Sequence, residues 1–198
     1  AGAGRLAAAV RKAVGVPSVR MDLNVLRELP ENLRRWGFRA RAVLFKNRAG
    51  DGIVVHLSDP EIAAPLCGLA VDLGTTRVVL RLIDLGSGGH LGESVFDNPQ
   101  VAVGPDVLTR IHHVEQPGGL AQLNRLIVEG INVHLGDLCR RCELSPANIH
   151  LLAVAGNTAM THLLLGLNPR GMIREPYIPV INRPGTLMAA ELGIRVHP

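Results

Sequence analysis

Aromatic side chains are nearly missing from this 198-residue sequence: 3 Phe, 1 Trp and 1 Tyr make up 3% of it. Base-stacking platforms for RNA or single-stranded DNA are built from such rings, so nucleic acid is not an expected partner. Cysteine is scarce as well. Cys67, Cys139 and Cys142 do not make a disulfide framework and suit a reducing compartment, the cytoplasm. No uncharged apolar run reaches the length of about 18 residues that a helical membrane span needs. Neither an internal repeat nor a low-complexity tract is present. The opening AGAGRLAAAVRKAVG has no initiator Met and no secretory core with a cleavage site, and the closing MAAELGIRVHP (Met188 to Pro198) has no terminating element. A fragment of a longer protein is expected.

What is present is apolar and unevenly charged. Hydrophobic residues make up 47% of the chain, enough for one full core with a small appendage. Residues 1–65 carry 11 Lys and Arg against 6 Asp and Glu, a net +5, while residues 66–198 carry 10 against 11, a net −1. A basic flank can dock an acidic partner, although a solvated face on a small domain is the simpler explanation.

Residues 1–65 read as a small α+β module. Ala3–Val14 is a helix former stopped by Gly15-Val16-Pro17, and Leu26, Leu29, Leu33 and Trp36 share one face of a second helix capped by Gly37. Phe38–Phe45 alternates apolar and basic residues as a half-exposed strand does. Asn47–Gly52 turns, and Gly52–Asp59 returns as a strand. Pro60 and Pro65 bracket a linker, which places a domain boundary there.

From residue 66 the pattern changes. Leu66–Val71 is an almost unbroken apolar run, as in a strand covered on both faces. Val78–Ile83 and His90–Phe96 are further strands, with Gly86–Gly89 as the hairpin between them. Asp106–Glu115 reads as a helix with Val107, Leu108, Ile111 and Val114 along one side. A longer helix carries Leu120, Leu123, Ile127, Ile131, Leu135 and Leu138. Asn148–Thr158 is then a buried strand ending in a polar corner, and Ala159–Leu165 a short helix. Three strands, crossover helices and another strand imply an α/β fold with a mixed sheet.

Two corners carry the chemistry. Asp72-Leu73-Gly74-Thr75-Thr76 joins the first two strands with an acid, a glycine and two hydroxyls. Free amides, close backbone approach and hydroxyls suit phosphate oxygens, and the acid suits an intervening Mg²⁺. A plain Asp-Leu-Gly hairpin, its hydroxyls satisfying the turn, accounts for the same residues. Gly156-Asn157-Thr158 ends the later strand, where Asn157 can cap the following helix or face an anion. Asn98-Pro99-Gln100 follows the third strand as a turn or as cleft lining.

Four segments together, GLAVDLGTT (68–76), NPQVAVGPDVLTRI (98–111), AGNTAMTHLLLGLNP (155–169) and PYIP (176–179), resemble the ATP-dependent reductive activators of corrinoid proteins. These belong to the acetate and sugar kinase, heat-shock chaperone and actin superfamily. The resemblance spans essentially the whole chain, more weakly before Pro65. It implies a ribonuclease H-like mixed sheet with flanking helices, the first lobe of an actin-like ATPase, over 66–198. Residues 1–65 would be a small middle module, and the second lobe would lie outside the chain. It further implies that ATP and Mg²⁺ drive an electron from a [2Fe-2S] domain of the parent, not in this chain, to a cobalt(II) corrinoid protein. Asp72 would hold Mg²⁺ through water and serve catalysis. Gly74, Thr75, Thr76, Gly156, Asn157 and Thr158 would complete the nucleotide site with it. The fragment alone would bind ATP weakly and turn over none. Val103-Gly104-Pro105-Asp106 departs from the family's Tyr-Gly-Ala-Asp, and Ala159 and Thr161 stand where it has Thr and His.

Other reactive residues are read as ordinary. Cys139-Arg140-Arg141-Cys142 is a lone CxxC within a helical pattern. His112 and His113 point to different faces, and His134 and His162 lie near apolar stripes. Two rival functions stand beside the activator. One is a small-molecule kinase using Asp97 or Asp106 as base; the other is a protein-docking module with a vestigial nucleotide site. Self-association as a homodimer is left open.

Overall fold

The structure is a computed structural model that describes residues 2–47 and 49–197. It divides into two compact units, 1–64 and 65–198.

In the first unit, α1 (Gly2–Val14) and α2 (Leu23–Arg35) lie with a three-stranded sheet of β1 (Val19–Met21), β2 (Arg41–Lys46) and β3 (Gly52–Ser58), in the order β1-β3-β2. β1 runs parallel to β3 and β2 antiparallel to it. Val10, Val25, Leu29, Val54 and Leu57 form the core. Asp22 starts α2 by accepting the amide of Asn24, and Gly37 in the left-handed region ends it. The amides of Gly37 and Phe38 return to Arg34 and Leu33, a Schellman closure. Three expectations shift. Leu26 is half-exposed because Val25 takes the inward position, the second strand starts at Arg41 rather than Phe38, and β1 is an addition. Three residues are too short to show a period. The turn expected over 47–52 includes Arg48, which lies outside the described residues.

The second unit is built on β4 (Cys67–Leu73), β5 (Arg77–Asp84), β6 (His90–Asp97) and β7 (Ile149–Gly156), ordered β6-β5-β4-β7. β4, β5 and β6 form an antiparallel meander, and β7 joins β4 in parallel after two crossover helices, α3 (Val107–His113) and α4 (Gly119–Arg141). α5 (Thr158–Leu165) follows β7 directly. All three helices contribute to one core. Leu69, Val71 and Leu73 of β4 and Val78, Leu80 and Leu82 of β5 pack with Leu123, Ile127, Ile131, Leu135 and Leu138 of α4. Those five belong to the six-residue stripe the helical spacing picks out and are buried; the sixth, Leu120, is half-buried at the start of the helix.

The other face of this sheet carries no helix among the described residues. Ala70, Asp72, Arg81, Glu93 and Val95 are exposed there, as is most of β7. The expected two-sided burial of β4 and β7 is therefore not met. Burial alternates along β4 because α4 and α5 stand on the same side.

Candidate functional site

The parallel pairing of β4 with β7 brings their C-terminal ends side by side, with Leu73 opposite Gly156 and Asp72 opposite Ala155. β6 ends at the same edge, where Asp97 is opposite Arg77. The corners at 74–76, 98–100 and 156–158 thus converge although they are far apart in sequence.

The loop at 74–76 has its carbonyls gripped from below. Asn98 donates its Nδ2 to the Gly74 carbonyl at 2.8 Å and its backbone amide to the Thr76 carbonyl at 2.8 Å. Arg110 donates Nη2 to the Thr75 carbonyl at 2.7 Å. A trans peptide points its N–H opposite its C=O. The Gly74 and Thr75 carbonyls, held against the protein, therefore aim the amides of Thr75 and Thr76 the other way, while the Thr76 carbonyl, turned toward the β6 side, turns the Arg77 amide toward β4. Gly74 is required for the bend, since a Cβ there would lie 2.2 Å from the Arg77 carbonyl.

Arg110 is fully buried. Its Nε donates to the Gly104 carbonyl at 2.8 Å, and its Nη1 reaches Gln100 Oε1 at 3.2 Å and Met160 Sδ at 3.3 Å. Gln100, itself buried, passes its own amide to the Leu123 carbonyl of α4 at 2.8 Å. Desolvation pushes the Arg110 pKa down, opposed by the negative charge of Asp106. The guanidinium keeps its charge nonetheless, because arginine starts far above neutrality. Gly104 leaves space for it, as a Cβ there would sit 3.0 Å from Arg110 Cγ.

The second corner is tied to the first by Asn157. Its Oδ1 accepts the Met160 amide at 2.8 Å, capping α5, while its Nδ2 reaches Thr75 Oγ1 at 3.3 Å. Of the two roles open to it, the structure shows the cap, and it adds the contact with the other corner. Gly156 lies where a Cβ would be 3.0 Å from the Leu73 carbonyl, so this strand pair is close. Thr158 opens α5 and its carbonyl accepts Nδ1–H of buried His162 at 2.7 Å. Nε2 of His162 then accepts the Ile181 amide at 3.4 Å, which makes it a satisfied core histidine.

Asp72, Thr76, Gly156, Asn157 and Thr158 are exposed, and Gly74 and Thr75 half-buried. Asp72 projects from the helix-free face near Arg81, whose pKa it helps to raise after Glu93. An exposed carboxylate, two hydroxyls, a side-chain amide and outward backbone amides are a donor set that fits a phosphate with a hard divalent cation. The rival acids are engaged otherwise. Asp106 caps α3 through the Thr109 amide at 2.9 Å and the Thr109 hydroxyl at 2.7 Å, and Asp97 faces Arg77 at 3.7 Å. Cys139 is buried in α4, Cys142 caps that helix, and His134 stacks on Phe96 at 4.0 Å.

The sequence pattern missed Arg110. The signal was its position: Val107, Arg110, Ile111 and Val114 form an i, i+3, i+4, i+7 stripe, of which the structure buries the last three and half-buries Val107, leaving Leu108 exposed.

Fold and site together define an α/β unit whose mixed sheet presents a polar, glycine-bearing corner at the ends of adjacent parallel strands. The chain belongs to the family of the RACo middle region, whose model matches residues 67–198, within the second unit. It is 28% identical over 178 residues to the corrinoid activation enzyme RamQ of Eubacterium limosum, a match covering 89% of this chain and 30% of that protein. A solved structure titled reductive activator for corrinoid, iron-sulfur protein matches with a TM-score of 0.91 and 32% identity, over 100% of this chain and 31% of the other. The chain therefore spans about 30% of the length of these relatives.

Proposed function

We propose that the parent protein is an ATP-dependent activator that returns a cobalt(II) corrinoid protein to cobalt(I), and that this chain supplies its first phosphate-binding corner. The observation that carries the reading is the meeting of Asp72–Thr76 and Gly156–Thr158 at one sheet edge, joined through Asn157 and Thr75. The sheet order β6-β5-β4-β7, with the last strand parallel to the first, supports an actin-like, ribonuclease H-like first lobe. The similarity to a corrinoid activation enzyme and to a reductive activator for a corrinoid, iron-sulfur protein supports the corrinoid partner. By the family resemblance, the electron comes from a [2Fe-2S] domain of the parent, and three cysteines without a disulfide framework suit the reducing cytoplasm. No described helix is long and apolar enough to cross a membrane.

Bound Mg-ATP supplies the free energy that a low-potential reduction requires. The chain's residues have simpler tasks. The amides of Thr75 and Thr76, aimed outward, would orient phosphate oxygens, and the Thr75 and Thr76 hydroxyls would add donors. Asp72 would hold Mg²⁺, and Asn157 fixes the two corners at one spacing. A kinase would need a free acid as base, and Asp106, one of its two candidates, is occupied as a helix cap.

The test is Mg²⁺-ATPase turnover of the full-length protein with and without a cobalt(II) corrinoid protein, using Thr76→Ala as control. Turnover stimulated by the corrinoid protein and lost in the variant is expected. Turnover indifferent to the corrinoid protein would favour the kinase. Salt-sensitive protein binding with no nucleotide effect would favour a docking module.

A further inference from the structure

We infer that Arg110 is the positioning residue of the nucleotide site: a buried guanidinium that sets the direction and donor strength of the Thr75–Thr76 peptide. The inference rests on the phosphate-loop reading above. Arg110 makes no ion pair among the described residues; the one opposing charge that acts on it is Asp106, whose carboxylate is engaged with Thr109. Its four contacts come from four places: the loop (Thr75), the turn after β6 (Gln100), the approach to α3 (Gly104) and α5 (Met160). The last belongs to the helix whose first turn Asn157 caps through that same Met160. One side chain therefore cross-links the two corners from beneath, as Asn157 does from above.

Two consequences follow from the Nη2 contact. Holding the Thr75 carbonyl inward forces the Thr76 amide outward, because the peptide is planar and trans. A cation on that carbonyl also polarises the peptide and makes its N–H a stronger donor. The positive charge lies one peptide group behind the place where phosphate oxygens would sit, and burial leaves it weakly screened. Arg110 touches no ligand itself. It acts through Thr76, so its effect should rise with the number of phosphates on the ligand.

The experiment uses the full-length protein and compares wild type, Arg110→Met and Arg110→Lys for binding of Mg-ATP, Mg-ADP and adenosine. Removing the charged donor is expected to weaken Mg-ATP by roughly tenfold to a hundredfold, Mg-ADP less, and adenosine hardly at all. Arg110→Lys, which keeps the charge but has no fork to reach Gly104, Gln100 and Thr75 together, is expected between wild type and Arg110→Met. Should Arg110→Met not fold, the lysine variant decides alone, by losing Mg-ATP affinity while keeping that for adenosine. Equal loss for all three ligands would mean a merely structural role and overturn the inference, as would wild-type Mg-ATP affinity in both variants. A wild-type protein that binds no nucleotide would instead overturn the phosphate-loop reading, and this inference with it.

Discussion

Asn157 Nδ2 stands 3.3 Å from Thr75 Oγ1, a contact between residues 82 positions apart that joins the ends of two parallel strands. The same side chain caps α5 with its oxygen. Its two ends therefore do different jobs, and substitution can separate them.

Asn157→Asp keeps the cap, because a carboxylate accepts the Met160 amide well at a helix start. It removes the donor to Thr75 and sets a negative charge beside the phosphate corner. Thermal stability should be unchanged while Mg-ATP affinity falls. Asn157→Ala loses both functions and should cost about 1 kcal/mol of stability as well. Calorimetric melting and nucleotide titration of the two variants check the contrast.

Glycines 74 and 136 should respond with opposite sign to the same substitution. A Cβ on Gly74 meets the Arg77 carbonyl at 2.2 Å, whereas nothing lies within 4 Å of one on Gly136, inside α4. Gly74→Ala should destabilise by about 1–3 kcal/mol through forced backbone movement and distort the loop. Gly136→Ala should stabilise by about 0.5–1 kcal/mol, the helix-propensity difference. Chemical denaturation of both measures this directly.

Asp106 and Asp84 should contribute to an acid limit of stability. The Thr109 amide, then its hydroxyl, holds the Asp106 carboxyl below its ordinary 3.8. The amides of Ser87 and Gly86 do the same for Asp84 in the hairpin. A depressed folded pKa gives stability that is present above the unfolded value and lost as pH falls through the folded one. The melting temperature should therefore drop below pH 3.8. Asp106→Asn, still a good cap, should flatten that drop while leaving neutral stability near wild type.

Cys139 should be inert in the native protein. Burial first, then the neighbouring Cys142 and Cys67 thiols, push its pKa up to about 11. Only the thiolate alkylates at a useful rate. Mass spectrometry after iodoacetamide treatment at about pH 8 should find Cys139 unmodified until denaturant is added. Rapid native modification would reopen the redox reading of the CxxC pair.

Much of the second unit was legible in the sequence because its signals are long. The α4 stripe from Leu123 to Leu138 runs through several turns, and the strands from Cys67 to Asp97 are punctuated by glycine-bearing turns. The meeting of the 72–76 and 156–158 corners was legible because Gly74 and two threonines, and later Gly156 and Asn157, follow apolar runs that pair as strands. Two things were not. An apolar strand does not say which faces are covered, so the open side of the sheet was hidden until the helices were placed. Arg110 was hidden because arginine on a helix reads as a solvated face, and only the carbonyls of Thr75 and Gly104 show why it lies inside.

The most direct measurement follows the cobalt itself. The full-length protein, reduced and mixed with a cobalt(II) corrinoid protein, is monitored by absorbance for cobalt(I) formation, with and without Mg-ATP. The account predicts cobalt(I) only with Mg-ATP and wild-type Thr76, and little or none with Thr76→Ala. Cobalt(I) formed equally without nucleotide, or equally by the variant, would contradict it.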